Sequence, residues 1–89
     1  MADNREKWIT ITLRFYAGTE TETNLKEYDR AKGAVFQVRR GSRLKTLFKR
    51  IEFRPKKHHT FFRDCERISE RETLRDMDEI SCLRATGGG

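Results

Sequence analysis

Three consecutive glycines, Gly87, Gly88 and Gly89, follow the stretch Cys82-Leu83-Arg84-Ala85-Thr86 and make up half of the six glycines in the chain. No turn or helix cap calls for them there. Glycine lacks a Cβ, so a backbone built of it passes where a side chain would be stopped. One reading is a thread that carries a carboxylate into a narrow site on another protein. The other, for the run taken alone, is a flexible linker.

The remaining chemistry-bearing residues are sparse. Cys65 and Cys82 lack zinc-ligand or C-x-x-C spacing, and are read as free thiols in a reducing, cytoplasmic compartment. His58 and His59 stand near Cys65. Adjacent histidines point apart on a strand and no further ligand pair is spaced to help them, so the expectation is a surface loop and no metal. No residues are spaced as a nucleophile and its base, so the chain is not read as an enzyme. Trp8 and Tyr28 are taken as packing residues.

Charge is concentrated. The chain has 20 Lys/Arg against 14 Asp/Glu, yet nine of the bases lie between Arg39 and His59 with one acid, Glu52, for a local +8. Eleven bases and thirteen acids remain elsewhere. One segment therefore presents a basic surface suited to an anionic partner. Phosphate contacts with nucleic acid are one candidate use. Single-strand readers, however, interleave exposed aromatics for stacking, and Phe48, Phe53, Phe61 and Phe62 read as buried elements.

These features need a scaffold, and 89 residues allow one small domain. No secretory signal opens the chain and no apolar run is long enough for a membrane helix. Residues 8–16, WITITLRFY, alternate with Ile9, Ile11, Leu13 and Phe15 on one side, which predicts a half-buried strand. Residues 17–33 predict a long loop with a helical turn around Leu25 and Tyr28. AVFQV predicts a second strand, with Phe36 and Val38 inward, in a hairpin with the first. Leu44, Leu47, Phe48 and Ile51 fall on one helical face. Ser42 is the expected N-cap, and Pro55 the expected stop at about Arg54. TFF, a short segment at Ile68 and ISCLR complete the strands, with Ile80 and Cys82 inward. Leu74 and Met77 are the expected anchors of the connection between the last two. One helix and one sheet must cover each other, giving a two-layer α+β domain.

That order, followed by a glycine tail, resembles the ubiquitin-like β-grasp superfamily over about Ile9 to Gly89. VFQVRRGSRLKTLFKRI resembles the second strand and helix of SUMO. TLRDMDEI is similar to the TLSDYNI turn of ubiquitin, and ATGGG to SUMO's QTGG. A second branch, the sulfur carriers, is also similar: ITLRFYAG resembles their opening strand, and LRDMDEI their L-x-D-G-D-E-V. Met77 departs from that glycine, Cys65 stands near a usual turn glycine, and the polar Leu83-Arg84-Ala85-Thr86 departs from the carriers' apolar Pro-Pro tail.

The resemblance implies a β-grasp fold with a mixed four- to five-stranded sheet on one helix. It implies a flexible start at 1–7, a domain at 8–84 and a flexible tail at 85–89. It further implies a protein modifier whose conjugation terminus is the run Gly87, Gly88 and Gly89, with the carboxylate at Gly88 or Gly89 adenylated by an ATP-dependent activating enzyme, passed as a thioester and joined to target lysines. A conjugating enzyme and a deconjugating protease are the further partners, and the chain needs no cofactor of its own. The sulfur-carrier branch implies a terminal thiocarboxylate for cofactor or tRNA thiolation instead. In SUMO-like proteins a partner segment adds beside the second strand, over the groove it forms with the helix. The matching positions are Phe36, Val38, Arg39, Leu44 and Leu47, with Arg40 alongside in the basic stretch. The four apolar residues also read as plain core.

Overall fold

The structure, a computed structural model, describes residues 7–84. The expectations for 85–89, Gly87, Gly88 and Gly89 included, lie outside the described residues, as do those for 1–6. Five strands and one helix follow in the order β1 (Trp8–Phe15), β2 (Ala34–Arg39), α1 (Leu44–Arg50), β3 (His59–Arg63), β4 (Glu66–Ile68) and β5 (Asp78–Arg84). The strands form one mixed sheet, ordered β2-β1-β5-β3-β4. β1 is antiparallel to β2 and parallel to β5, and β3 is antiparallel to both β5 and β4. With α1 against one face, this is a two-layer α+β fold of β-grasp type. Among the described residues no helix is long and apolar enough to cross a membrane.

The period-two pattern of β1 does what it predicts. Ile9, Ile11, Leu13 and Phe15 are buried, as are Ile80 and Cys82 on β5 and Phe61 on β3. Leu44, Leu47, Phe48 and Ile51 close over them. Phe53 joins from beyond the helix, edge-on to Phe48 and Phe15 at centroid distances of 4.9 and 6.2 Å.

The helix ends differ from expectation. Its N-cap is Arg43, with no side-chain cap bond. Ser42 is not needed, because backbone carbonyls from a distant loop take the first amides: Leu44 N–H donates to Glu72 O at 3.0 Å and Lys45 N–H to Glu70 O at 2.7 Å. At the other end α1 stops at Arg50, well before Pro55. Glu52 adopts a left-handed φ of 54°, and Phe53 N–H reaches back to Phe48 O at 2.9 Å. That reversal is a Schellman-like stop, with a hydrophobic contact beside it.

The 17–33 connection holds a short 3-10 turn at Thr19–Glu22, and no helical turn forms around Leu25 and Tyr28. Both residues instead pack against the core. The Tyr28 hydroxyl accepts the Phe15 N–H at 2.7 Å, which ties the loop to the end of β1. Gly33 is required at its place: its φ is +77°, and a Cβ there would meet Leu13 O at 2.9 Å.

Two expected packing residues are exposed. Met77, at 74% exposure and a φ of 69°, does not anchor the β4–β5 connection. Leu74 does so alone, while Met77 contributes its backbone N–H to Thr10 O at 2.8 Å. Trp8, at 43% exposure, lies beneath the Arg39 guanidinium, 5.2 Å from the ring centroid.

Leu47 is 1% exposed, so Leu47→Ala should lose about 2–5 kcal/mol of unfolding free energy in a denaturant titration. A loss below about 0.5 kcal/mol, the range of surface substitutions, would contradict the packing of α1 on the sheet.

Candidate functional site

The β2 edge and the near face of α1 enclose a groove of about 260 Å³. Val38, Arg39 and Leu47 line it together with Trp8, Thr46 and Arg50, and Val38 and Leu47 are at the same time buried members of the core. Leu44 does not: it is fully buried one turn earlier, inside the core. Phe36 is half-buried against the core, with Arg50 above its ring at 5.6 Å. Arg40 is exposed just past the end of β2, where its N–H donates to Lys7 O at 2.8 Å. Arg39, Arg43, Lys49, Arg50 and Arg54 are exposed, so the charge of this segment lies at the surface around α1.

The backbone orientation of β2 can be read from its partners. Thr10 pairs opposite Gln37. Thr10 turns its N–H to Asp76 Oδ1 at 2.8 Å and its C=O to the Met77 N–H, both away from β2. Thr10 and Gln37 are therefore a non-hydrogen-bonded pair, and Gln37 directs its own N–H and C=O to the open edge. Its carbonyl there accepts the Arg50 guanidinium at 2.8 Å. Neither Arg50 nor Trp8 stood among the expected groove residues. Arg50 was legible as a base on the last turn of a helix, but its reach back to β2 depends on the packing angle.

A second cluster gathers at the far end of β5. Glu22, in the 3-10 turn, accepts both His59 Nε2, at 3.1 Å, and Arg84, the last described residue before the glycine run, on one carboxylate oxygen. Register explains the meeting: His59 pairs with Arg84, so both project to the face that carries the core. His59 is the first residue of β3 with a buried ring, not part of a surface loop. Its neighbour His58 has not turned away, and the two ring centroids are 4.2 Å apart.

Potential ligand atoms of Glu22, His58 and His59 lie within 4.8 Å of one another, close enough for the metal reading to be weighed. The hydrogen bonding opposes it. His59 Nδ1 accepts the Lys56 N–H at 2.8 Å, so in the neutral ring the proton sits on Nε2, facing Glu22. That nitrogen then has no lone pair to give. A metal-ligating histidine normally donates from its other nitrogen, the reverse of this arrangement. The cluster is an ion-paired tie between the loop, β3 and the root of the tail.

The opposite end of β5 carries a matching tie. Arg63, buried on β3, donates to Asp78 at 3.2 Å, Glu72 at 2.8 Å and Thr73 O at 3.1 Å. Of the two thiols, Cys82 is buried, and burial pushes it up to about 12, which removes it as a nucleophile near neutral pH. Cys65 is exposed in the β3–β4 turn, where Asp64 and Cys65 have φ of 51° and 65°. Two left-handed residues in a two-residue hairpin make a type I′ geometry, which glycine or asparagine fills most easily. Comparison with known proteins finds no family model and no curated protein that matches the chain.

Arg84 and then His59 hold the Glu22 carboxyl below the ordinary glutamate range, against the opposing effect of partial burial. A lowered folded value gives stability that is complete above the unfolded value and is lost as pH falls through the folded one. Glu22→Gln should therefore reduce stability near neutral pH and flatten its decline on the acid side. Thermal midpoints from pH 7 to pH 3 check this, and parallel curves for the two proteins would contradict it.

Proposed function

We propose that the chain is a ubiquitin-like protein modifier whose chemistry is carried by the carboxylate of its glycine run. One observation carries the reading: β5 lies at the sheet centre, parallel to β1, and runs straight into Ala85-Thr86 and the three glycines. A strand held on both sides gives whatever follows it a fixed point of departure.

The chemistry then belongs to partner enzymes. The carboxylate of Gly88 or Gly89 attacks the α-phosphorus of ATP on an activating enzyme and releases pyrophosphate. A cysteine thiolate of that enzyme displaces AMP from the acyl carbon and forms a thioester. A target lysine amine attacks the thioester, releases the thiol and leaves an isopeptide bond. The residues of this chain present the carboxylate and dock the partners, with the exposed arginines of β2 and α1 facing an acidic surface. Neither buried Cys82 nor the His59 cluster takes part in a covalent step.

Deleting Gly88 and Gly89 should leave the thermal midpoint nearly unchanged, since chain termini commonly make few native contacts. It should abolish ATP-dependent thioester formation with the cognate activating enzyme, read as a thiol-sensitive gel shift. Deleting Gly89 alone separates the two possible ends: retained activity assigns the carboxylate to Gly88, and lost activity assigns it to Gly89. With a sulfide source present, an intact-mass gain of one sulfur-for-oxygen exchange would move the chain to the sulfur-carrier class. A normal thioester rate from the double deletion would refute the modifier reading.

A further inference from the structure

The groove beside β2 is closed by one residue of the chain itself. β2 ends the sheet, so among the described residues no strand pairs with its outer side. By strand alternation, Val35, Gln37 and Arg39 direct their backbone groups outward. An incoming extended segment would take the Gln37 carbonyl with a backbone N–H, as in any added strand. That carbonyl already accepts Arg50 Nη1 at 2.8 Å, and the same guanidinium covers Phe36. Arg50 thus occupies the bonding position and the apolar surface that such a segment needs.

We propose that Arg50 is a displaceable plug on the β2 edge, and that the groove opens for an extended peptide carrying a carboxylate where the plug swings free. The proposal rests on the groove being a docking site of the modifier proposed above, and adds how it is kept shut and what opens it. Three observations support it. Arg50 is exposed at the end of α1, so its side chain can leave without disturbing the core. Its present bond is a single one to a neutral carbonyl, whereas a carboxylate accepts two parallel N–H groups from a guanidinium and bonds more strongly. The groove is lined by Arg39 as well as Arg50, and Arg43 and Lys49 are exposed on the same helical segment, a charge that favours an acidic occupant. When the edge is empty, the plug protects it from pairing with other strands, a hazard that open edges carry.

The test uses the full chain and two capped peptides, Val-Thr-Val-Asp-Val-Thr-Val and the same peptide with asparagine in place of aspartate. Binding is measured at low salt by amide chemical shifts of β2. Wild type should prefer the aspartate peptide. Arg50→Ala should bind the asparagine peptide about threefold more tightly, because one modest hydrogen bond no longer has to be displaced. Its preference for aspartate should shrink by about three- to fivefold, the scale of one exposed ion pair. Arg50→Gln, which keeps an amide donor for Gln37 without the charge, should lose the preference and keep the weak binding of the asparagine peptide. All three proteins should give matching amide spectra for the buried residues of β1 and β5, because Arg50 is exposed and its ring contact is with the half-buried Phe36 at the rim.

Equal affinities of wild type and Arg50→Ala for both peptides would overturn the plug while leaving the groove as a docking site. Binding of neither peptide to any of the three proteins would remove the groove and the plug together. The tail chemistry is read separately by thioester formation and survives that result. Self-association of Arg50→Ala without peptide binding would make the edge a site for a second copy, and would also overturn the proposal.

Discussion

The parallel pairing of β1 with β5 is the constraint on which the rest of the molecule depends. Two parallel neighbours cannot be joined by a tight turn, so the chain between them must leave the sheet and return. β2, α1, β3 and β4 all lie within that excursion. The hairpin puts β2 on one edge, the helix crosses one face, and β3 and β4 complete the other side. Because β1 and β5 are central, their inward residues make a continuous apolar centre, and the 44–53 segment has a single surface on which to bury its own.

Both ends of β5 are fixed by charge, while its middle is apolar. Asp78, Ile80, Cys82 and Arg84 share the inner face. Asp78 is met by Arg63, and Arg84 by Glu22 beside His59. Among the described residues no buried side-chain nitrogen or oxygen lacks a hydrogen-bond partner. This matters because an unpaired buried charge is costly, whereas a fully bonded one also restricts geometry. The Glu22 tie positions the strand end from which the glycine run departs, and the Arg63 tie holds the loop whose carbonyls cap α1. A polar cluster at each end therefore ties β5 to the connections that pass it, the 3-10 turn at one end and the 69–73 loop at the other.

The groove and the tail root lie in regions fixed by different elements, the first by β2 and α1, the second by β3, β5 and the 3-10 turn. They share the rigid pair β1–β5 between them. The outer face of the sheet adds a further hollow of about 320 Å³ between Tyr16, Phe62 and Leu83, with Cys65 at its rim.

Local chemistry alone determined a good deal. The alternation of residues 8–16 and the i, i+3, i+4, i+7 spacing of Leu44, Leu47, Phe48 and Ile51 fix which sides are buried, because burial follows the period of the backbone. The α+β class follows, since a single helix and a single sheet have only each other to cover. The same periodicity read Val38 and Leu47 as core, which they are; their place in the groove was expected only from the SUMO resemblance. Tertiary structure decided the rest. Ser42 looked like a cap until carbonyls 25 and 28 residues away in the chain took the helix amides. Met77 looked like an anchor, but its backbone is left-handed and its side chain faces outward. His59 looked like a surface residue, and only the register with Arg84 carries its ring inward to Glu22. The plug at Gln37 was hidden for the same reason. Periodicity reports which side of an element is buried, but which partner a polar atom finds depends on where distant elements are placed around it.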